Sequence, residues 1–473
     1  MTRLFRRASA VAAVGACCCG WSACAPEAAA RPQLVVVVDT DTALVGQLGD
    51  GDLSPALAID TVRIDLVTDG REVADYRDFT APDARDWPLS FGVATTAGTS
   101  RVVRLRVRAF RASLATRGEL GELTTIEPPT NMLIDRIVEV DQPSRDVRTV
   151  RVVLSAACFG APASFQVPFR TCVDAARRDA APTEGVLEGS APTLVGTALE
   201  AREQACAATP KKGAVCVLGG PTVLGDARLS NVVAGPPNLP VRPALLTPFH
   251  MDRTEMTVGR YRKLLLAGEV TEEPLRADPS DSLRRYCSWL GPNDAKNDKL
   301  PLNCVTFDLA AKACATGGGT LPTEAQWEHA ARGRGRSFLF PWGDAAPKCC
   351  SASTARDSNL IDGECGGGEG LEPVASHANK GCSPEDVSID GVVDLGGSLK
   401  EMLLDGGVSY ADPCWSGPGL VLDPKCSLPD LAAGRSTRGS DWSAGTGLLR
   451  SAFRFVSGNQ TNVLGFRCVY PDR

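Results

Sequence analysis

Short runs of alternating apolar and polar residues dominate the chain between residues 33 and 157, and turn residues such as Asp69-Gly70 separate them. A period of two is typical of strands that bury one face. It predicts strands at Leu34–Val38, Thr61–Val67, Val102–Phe110, Arg136–Val140 and Val147–Leu154. Several such strands in sequence predict an antiparallel β-sandwich domain, immunoglobulin- or fibronectin-like, over residues 33–157.

The segment Val102–Arg108 shows the alternation most clearly, because arginine takes every second position from Arg104 onward and apolar residues take the others. We interpret this arginine face as the solvated side of a half-buried strand and not as a ligand patch. The sequence indicates no partner for this domain.

The periodicity is lost from residue 158 to residue 212. We expect Cys158 and Cys172 to close a small loop at the end of the first domain. Residues 173–212 are rich in Ala, Pro, Thr, Glu and Arg. This composition without a clear period predicts a linker or a loosely packed connector.

A helical period appears only in residues 213–473, where we predict helices at Thr257–Ala267, Thr306–Ala315 and Thr323–Arg332. In the last helix Thr323 is placed to cap the first turn, and Gln326 is placed to complete a capping box. Gly333 is placed to end this helix in the left-handed conformation. Long glycine-rich loops join the helices, so this region is expected to need staples such as disulfides and bound cations.

Composition places the chain among multidomain globular proteins. It has 473 residues, of which 43% are hydrophobic and 22% charged, and this length predicts two or three domains. The formal net charge of −6 lacks the basic footprint that nucleic-acid binding needs, so we predict no nucleic-acid partner. No apolar run of about 18 residues predicts a transmembrane helix.

The first 24 residues predict an export signal. Arg3, Arg6 and Arg7 form a basic segment, and the short apolar stretch Ala8–Ala16 follows it. Cysteines then follow in a pattern that looks like a bacterial lipobox, whose cysteine becomes lipidated. Both Cys17 and Cys24 are candidates. We therefore expect a protein that is exported to the bacterial cell envelope and held at a membrane by a lipid anchor. An ordinary cleaved signal peptide is the alternative, and it also exports the chain.

Fourteen cysteines lie between Cys158 and Cys468. In an oxidising compartment they predict a disulfide framework of up to seven bridges. A metal cluster is the rival interpretation, but no CxxC pair occurs and the chain has only His250, His329 and His377. We interpret His329 as a packing or surface residue.

A series of motifs in the third region resembles the formylglycine-generating-enzyme family, also called the sulfatase-modifying-factor domain. The motifs occur in the family's order and are the segments Phe249–Tyr261, Pro301–Cys314, Leu321–Gly333 with Phe340–Asp344, Glu372–Val374, Asp394–Met402, Arg438–Trp442, Arg450–Arg454 and Leu464–Cys468. The resemblance implies a loop-rich α+β domain with a C-type-lectin-like fold over residues 213–473. It also implies one disulfide, between Cys314 and Cys468.

The resemblance further implies structural calcium. One family site corresponds to the carboxylates of Asp394 and Glu401 with the backbone carbonyls of Gly397 and Leu399. Hard oxygen ligands of this kind suit calcium. A second family site corresponds to Asn359, Leu360, Glu369 and Leu371, with glutamate where the family has aspartate.

The known catalytic residues of the family are missing from this chain. The family's enzymes oxidise a substrate cysteine with oxygen and use two cysteines that bind copper(I), both between the motifs that correspond to Arg438–Trp442 and Leu464–Cys468. No cysteine occurs from Ser427 to Arg467, so we predict no copper site. A related branch uses a histidine triad with iron, but none of the three histidines here forms a spaced pair.

We therefore expect the domain to keep the fold and to bind an unidentified protein, peptide or glycan without catalysis. The candidate cleft consists of Arg438, Ser440, Asp441, Trp442 and Arg454. An oxidoreductase or protein-modifying enzyme with a relocated active site is the alternative. A purely structural role as an envelope spacer is the third hypothesis, and a cleft filled by side chains would favour it.

Overall fold

The computed structural model describes residues 5–6, 33–49, 51–67, 73–94, 102–120, 123–129, 131–141, 147–182, 185–186, 192–229, 238–356, 365, 368–378, 381–415, 417, 419–427, 434–458 and 460–473. The chain divides into two compact units. The N-terminal unit comprises Met1–Leu53 and Leu57–Ala201, and the C-terminal unit comprises Ser54–Ala56 and Arg202–Arg473. The described part is mostly β-structure with few helices.

Strands build the N-terminal unit. They are β1 (Phe5–Arg6), β2 (Gln33–Thr40), β3 (Thr61–Val67), β4 (Val73–Thr80), β5 (Leu89–Ala94), β6 (Val102–Phe110), β7 (Thr116–Leu120), β8 (Leu123–Glu127), β9 (Leu133–Asp141), β10 (Val147–Leu154) and β11 (Gly185–Val186). One sheet has the order β1-β5-β2-β10-β11, another the order β4-β3-β6-β9, and β7 pairs with β8. The strands pair antiparallel, except that β2 and β10 run parallel.

All the strands expected from the alternation are present, and β4, β5, β7 and β8 add to them. The apolar positions of the pattern point into the core. Val36 on β2, Ile64 on β3 and Val107 on β6 have no solvent exposure. The alternation was informative for β2 and β6, where burial alternates along the strand, whereas β3 is buried on both faces.

The arginine face of β6 is not solvated, which corrects the sequence expectation. Each of its arginines pairs with a carboxylate of a neighbouring strand: Arg104 with Glu139 at 2.7 Å, Arg106 with Asp135 at 2.7 Å, and Arg108 with Asp65 at 2.6 Å. The rings of Phe169 and Phe165 cover Arg104 and Arg106. Acidic residues on the adjacent strands, far away in sequence, turn this face into a ladder of charge pairs.

Part of the expected linker is packed. Ala198 and Ala201 are buried in a cluster with Ala43 and Ala156 of the same unit. The buried Asp39 carboxylate also accepts hydrogen bonds from the Thr193 hydroxyl and the Leu194 amide. Residues 192–201 therefore belong to the N-terminal unit. Small buried side chains and buried hydrogen bonds hold this segment, and neither produces a periodic pattern of apolar residues in the sequence.

The C-terminal unit contains three α-helices and short strands. The helices are α1 (Val258–Leu266), α2 (Phe307–Thr316) and α3 (Glu324–Ala331), and the strands are β12 (Ala214–Val217), β13 (Gly220–Leu224), β14 (Arg242–Leu246), β15 (Phe249–Asp252), β16 (Lys400–Gly406), β17 (Val421–Leu422), β18 (Arg435–Arg438), β19 (Arg454–Ser457), β20 (Leu464–Gly465) and β21 (Val469–Pro471). They form sheets of order β12-β15-β21, β13-β14-β17 and β19-β18-β16-β20. None of the described helices has the length and apolarity needed to cross a bilayer.

The helix ends are the ones that the capping residues predict. The capping box of α3 is present. The backbone N–H of Gln326 donates to Thr323 Oγ1 at 3.1 Å, and the backbone N–H of Thr323 donates to Gln326 Oε1 at 3.0 Å. Gly333 follows α3 with a φ of +67°, where a Cβ would lie 2.5 Å from the Phe338 ring. Glycine is therefore required at this position both for its backbone conformation and for the close approach of Phe338.

Seven disulfides staple the described part of the chain: Cys158–Cys172, Cys206–Cys216, Cys287–Cys304, Cys314–Cys468, Cys349–Cys365, Cys350–Cys382 and Cys414–Cys426. The bridge implied by the family resemblance joins α2 to the start of β21 across 154 residues. In the chain-entropy account such a loop contributes about 5 kcal/mol to the free energy of unfolding. This number of disulfides is typical of a protein that folds outside the cytoplasm.

His329 is a packing residue of α3 with 1% of its surface exposed. Its Nε2 lies 2.9 Å from the carbonyl oxygen of Leu218. Burial lowers the pKa of His329 to about 4, so the folded protein holds a neutral imidazole at neutral pH.

We predict that His329 makes the folded state sensitive to mild acid. Its pKa is about 6.5 in the unfolded chain and about 4 when folded, so the unfolded state binds more protons between these values. The free energy of unfolding therefore falls as the pH drops through this window, by up to roughly 3 kcal/mol from this group. Urea unfolding of wild type and His329→Gln from pH 7 to pH 4 measures the difference.

The control is His377→Gln. The pKa of His377 is raised, with the nearby Glu372 carboxylate opposing the effect of burial. Any contribution of His377 to the free energy of unfolding is present below pH 6.5 and is lost as the pH rises. His377→Gln should therefore keep the fall in the free energy of unfolding that His329 causes between pH 6.5 and pH 4. Equal slopes for wild type and His329→Gln would contradict the prediction.

Candidate functional site

The loop that leads into β16 carries the first predicted cation set. Asp394 and Ser398 adopt φ values of +59° and +75°. These left-handed conformations are uncommon for residues other than glycine and mark a constrained backbone. The buried Asp386 carboxylate holds the loop, because it accepts the amides of Gly396 and Gly397 at 2.9 to 3.0 Å. A Cβ on Gly397 would lie 2.5 Å from the carbonyl oxygen of Ser353, so that position requires glycine.

Arg467 is the central cation of this region and is fully buried. Its guanidinium donates to both carboxylate oxygens of Glu401 at 2.6 to 2.9 Å. It also donates to the carbonyl oxygens of Val393 and Asp394 at 2.9 and 3.2 Å. The indole of Trp327 donates to Glu401 at 3.0 Å. Glu401 is therefore fixed by α3 and by the last motif of the chain.

Glu255 is the carboxylate that this arrangement leaves unsatisfied. It is 1% exposed, and neither of its oxygens accepts a hydrogen bond of normal geometry, although the nearby Ser398 hydroxyl acts to lower its pKa. Burial, and then the negative charge of Asp394, raise the pKa of Glu255 well above its usual range. A buried charged group without a partner is costly, so such a group either holds a proton or faces a cation.

The local charge balance favours a cation. Four buried carboxylates act electrostatically on one another or on Arg467, namely those of Glu255, Asp386, Asp394 and Glu401. Burial and the charge of Asp394 raise the pKa of Asp386 to about 7. Four acidic groups around one arginine leave an excess of negative charge when all are ionised. The buried hydroxyl oxygens of Ser353 and Ser440 also lack partners among the described residues.

These residues fit a calcium ion by their chemistry. Asp394 and Glu401, which the family resemblance implied, lie in one buried cluster, and carboxylate and carbonyl oxygens are the ligands that calcium takes. Among the described residues, neither oxygen of Glu255 has a hydrogen-bond partner of normal geometry, so both remain available to an ion. Sequence reasoning missed Glu255 and Asp386. Glu255 stands inside the opening motif, which was the available signal, whereas Asp386 belongs to no motif.

Half of the second predicted cation set falls outside the described residues, namely Asn359 and Leu360. In the other half, Glu369 is exposed and accepts hydrogen bonds from the Tyr286 hydroxyl at 2.6 Å and from Arg285 at 3.0 Å. Leu371 is partly buried on the same segment. Of the described members of this set, Glu369 thus takes part in a surface ion pair with Arg285.

The candidate cleft is filled by its own side chains. The proposed lining residues are all nearly or fully buried, with exposures between 0 and 2%: Arg438, Ser440, Asp441, Trp442 and Arg454. Arg438 donates to Glu324 at 2.7 Å and to Glu328 at 2.5 Å. Arg454 donates to Glu324 at 2.7 Å. The two arginines do not line an open surface, which corrects the expectation, because the carboxylates of α3 bury and neutralise them.

The remaining cleft residues are also engaged. The Asp441 carboxylate pairs with Lys400 and accepts hydrogen bonds from the Ser443 amide and hydroxyl. Trp442 lies edge-on to the Tyr286 ring, with 4.7 Å between centroids. The ammonium group of Lys400 neutralises Asp441.

No thiol is available in the described C-terminal unit, because every cysteine there is part of a disulfide. Two further groups of potential metal ligands exist, Cys206 with His250 and Asp472, and Asp412 with Cys414 and Cys426. Their cysteines are bridged to Cys216 or to each other, so neither group offers a thiolate.

Comparison with known proteins agrees with this geometry. Residues 200–471 match the family described as "Sulfatase-modifying factor enzyme 1-like domain". A formylglycine-generating enzyme of Streptomyces coelicolor is 30% identical over 174 residues, which cover 30% of this chain and 55% of that protein. A hercynine oxygenase of Mycolicibacterium thermoresistibile is 32% identical over 162 residues, which cover 33% of this chain and 32% of that protein. The chain thus spans about half of the first relative and about one third of the second.

Two further similarities complete the comparison. An inactive C-alpha-formylglycine-generating enzyme 2 of Bos taurus is 26% identical over 134 residues, which cover 22% of this chain and 44% of that protein. The solved structure of PvdO from Pseudomonas aeruginosa is 21% identical and covers 54% of this chain and 93% of its own, with a TM-score of 0.39.

We predict that Glu324→Gln destabilises the folded protein by about 3–5 kcal/mol, because it leaves Arg438 and Arg454 buried with too little negative charge. Urea unfolding measures the free energy of unfolding. The control is Glu272→Gln, which removes an exposed ion pair with Lys312 and should cost less than about 1 kcal/mol. Similar costs for both variants would show that the buried network does not hold the unit together.

Proposed function

This chain belongs to the family of sulfatase-modifying factor enzyme 1-like domains through residues 200–471, and on that premise we propose that its C-terminal unit is a non-catalytic binding module. The protein that carries it is exported and lipid-anchored in the bacterial cell envelope. The ligand is a protein, peptide or glycan, or a small component of one.

The cysteine pairing carries this proposal. The family's oxidase chemistry needs two thiolates to hold copper(I). Here no cysteine lies between Ser427 and Arg467, and all the cysteines from Cys158 onward are bridged. The scaffold is thus retained while its sulfur atoms serve as cross-links.

The finer fold assignment belongs to the same proposal. The two sheets of the N-terminal unit form an immunoglobulin- or fibronectin-like sandwich, and the C-terminal unit has the C-type-lectin-like arrangement. The alternating burial along β2 and β6 supports the first statement. The family membership and the few helices joined by long loops support the second.

We also propose a structural calcium ion at the loop Asp394–Glu401. Its support is the excess of buried carboxylates around Arg467 and the unpartnered oxygens of Glu255. The ion would supply the positive charge that the loop lacks.

The lipid anchor rests on the N-terminal cysteines. Cys17 and Cys24 lie outside the described residues, and the lipobox-like sequence around them supports anchoring at one of the two. The seven disulfides support the extracytoplasmic location.

An enzyme with a relocated active site is the second candidate function. The relatives named formylglycine-generating enzyme and hercynine oxygenase favour it, whereas the relative named as inactive favours the binding module. Metal content separates the two proposals, because stoichiometric copper or iron in the purified protein would favour the enzyme.

We predict that the full exported protein consumes no oxygen in a copper-dependent manner when it is given cysteine-containing peptides. The physical reason is that no thiolate pair is free to hold copper(I). An oxygen electrode measures the rate, under conditions that leave the disulfides intact. A formylglycine-generating enzyme serves as the positive control, and robust copper-dependent turnover by this protein would overturn the proposal.

We predict that the chelator-stripped protein binds calcium with one-to-one stoichiometry in a calorimetric titration, and that calcium raises its unfolding temperature. Asp394→Asn should weaken this binding by at least about tenfold, because it removes a carboxylate charge from the cluster. The control is Asp294→Asn. Asp294 is an exposed residue that also accepts a backbone amide hydrogen bond, as Asp394 does. Wild-type protein that shows neither heat nor stabilisation with calcium would rule out the site.

A further inference from the structure

A cavity of about 230 Å³ lies where three distant segments of the C-terminal unit meet. The segments are the start of α2, the start of β18, and the end of β19 with the residues that follow it. The cavity shares no residue with the loop Asp394–Glu401 or with the filled cleft at Arg438–Trp442. Its polar and charged lining consists of Thr306, Asp308, Arg435, Ser457 and Gln460.

Arg435 brings an unneutralised positive charge to this cavity. Its Nη1 donates to the carbonyl oxygen of Leu404 at 3.2 Å, and its guanidinium lies 5.4 Å from the centroid of the Phe307 ring. Within the described part of the chain, no carboxylate lies within ion-pair distance of it. A guanidinium has five N–H donors in a flat fork, so most of its capacity remains available to a ligand.

Asp308 brings the opposite charge to the same cavity. It is an exposed residue in the first turn of α2, and among the described residues its carboxylate makes no hydrogen bond or ion pair. Asp308 and Arg435 therefore line one cavity without neutralising each other. A simple anion would meet repulsion from Asp308, and a simple cation would meet repulsion from Arg435.

The molecule that satisfies both groups carries a carboxylate and an ammonium group and is small enough to fit a cavity of about 230 Å³. A carboxylate matches the fork of a guanidinium with two parallel hydrogen bonds, and a compact ammonium group suits the Asp308 carboxylate. Gln460 donates one side-chain N–H to the carbonyl oxygen of Cys304 at 2.6 Å. Its second side-chain N–H and its side-chain oxygen can bond other partners. From this arrangement we infer that the cavity binds a small zwitterionic amino acid, either free or as the single residue that a dipeptide presents.

This inference extends the proposed function by naming a ligand class, and it rests on that function only in treating the unit as a binding module. The two are tested separately. The oxygen and metal measurements decide whether the unit is catalytic, and the binding of zwitterions is measured both with calcium and with a chelator.

The test is a titration of the full exported protein with glycine, L-alanine and L-leucine, followed by calorimetry or by ligand-observed NMR. Acetate and ethylamine are the half-ligand probes, since each carries only one of the two charges. We expect saturable binding of at least one amino acid, and binding of acetate and ethylamine that is at least about tenfold weaker.

Three variants locate the site. Arg435→Gln and Asp308→Asn should each weaken amino-acid binding by at least about tenfold, because each removes one charge of the pair. Gly458→Phe should abolish binding by filling the cavity, and a Cβ at Gly458 meets no atom within 4 Å, so the fold tolerates a side chain there. Lys263→Gln is the matched control, because it removes an exposed charge from α1, a helix that contributes no residue to the cavity lining, and should leave the affinity unchanged.

Several outcomes would overturn the inference. These are wild-type protein that binds no amino acid up to about 10 mM, acetate that binds as tightly as glycine, and affinity that survives both Asp308→Asn and Gly458→Phe. Asp308→Asn and Gly458→Phe change exposed or open positions, so these two variants decide the question even where Arg435→Gln fails to fold.

Discussion

A buried set of ion pairs between α3 and the sheet β19-β18-β16-β20 organises the C-terminal unit. Glu324 and Glu328 on α3 hold Arg438 on β18, and Glu324 also holds Arg454 on β19. The Tyr410 hydroxyl joins the network through Glu328. Charges that leave water are tolerated only when each has a close partner, so the position of the helix against the sheet becomes specific. Other contacts of this region are arranged around that constraint.

A second buried arginine shows what happens when the balance fails. Arg467 fixes the carboxylate of Glu401 on β16. Glu401 lies opposite Arg438 of β18 in the sheet register. Around it the carboxylates outnumber the cations, and Glu255 keeps two oxygens without partners. The same physical rule that locks the first network thus leaves the second one short of positive charge. The proposed calcium ion at the second network would supply this missing charge, whereas the first network needs none.

The region that resembles the family's motifs is closely packed in this chain. Cysteines have become cross-links, Lys400 neutralises Asp441, and the region that resembled a cleft is occupied by its own side chains. Among the described residues, Asp308 and Arg435 line a separate cavity without an ion pair between them. The binding function proposed for that cavity does not depend on the filled region at Arg438–Trp442.

The amino-acid sequence was sufficient to predict five strands, three helices and the family. Alternation predicted the strands from β2 to β10 that bury one face, and Thr257, Thr306 and Thr323 marked the starts of the three helices, because both signals depend on neighbours along the chain. Only the tertiary structure decided how charges were shared. The pairing of the β6 arginines, the burial of Arg438 and Arg454, and the isolation of Glu255 and Asp308 depend on which distant residue comes close, and a linear pattern of hydrophobic and polar positions does not contain that information.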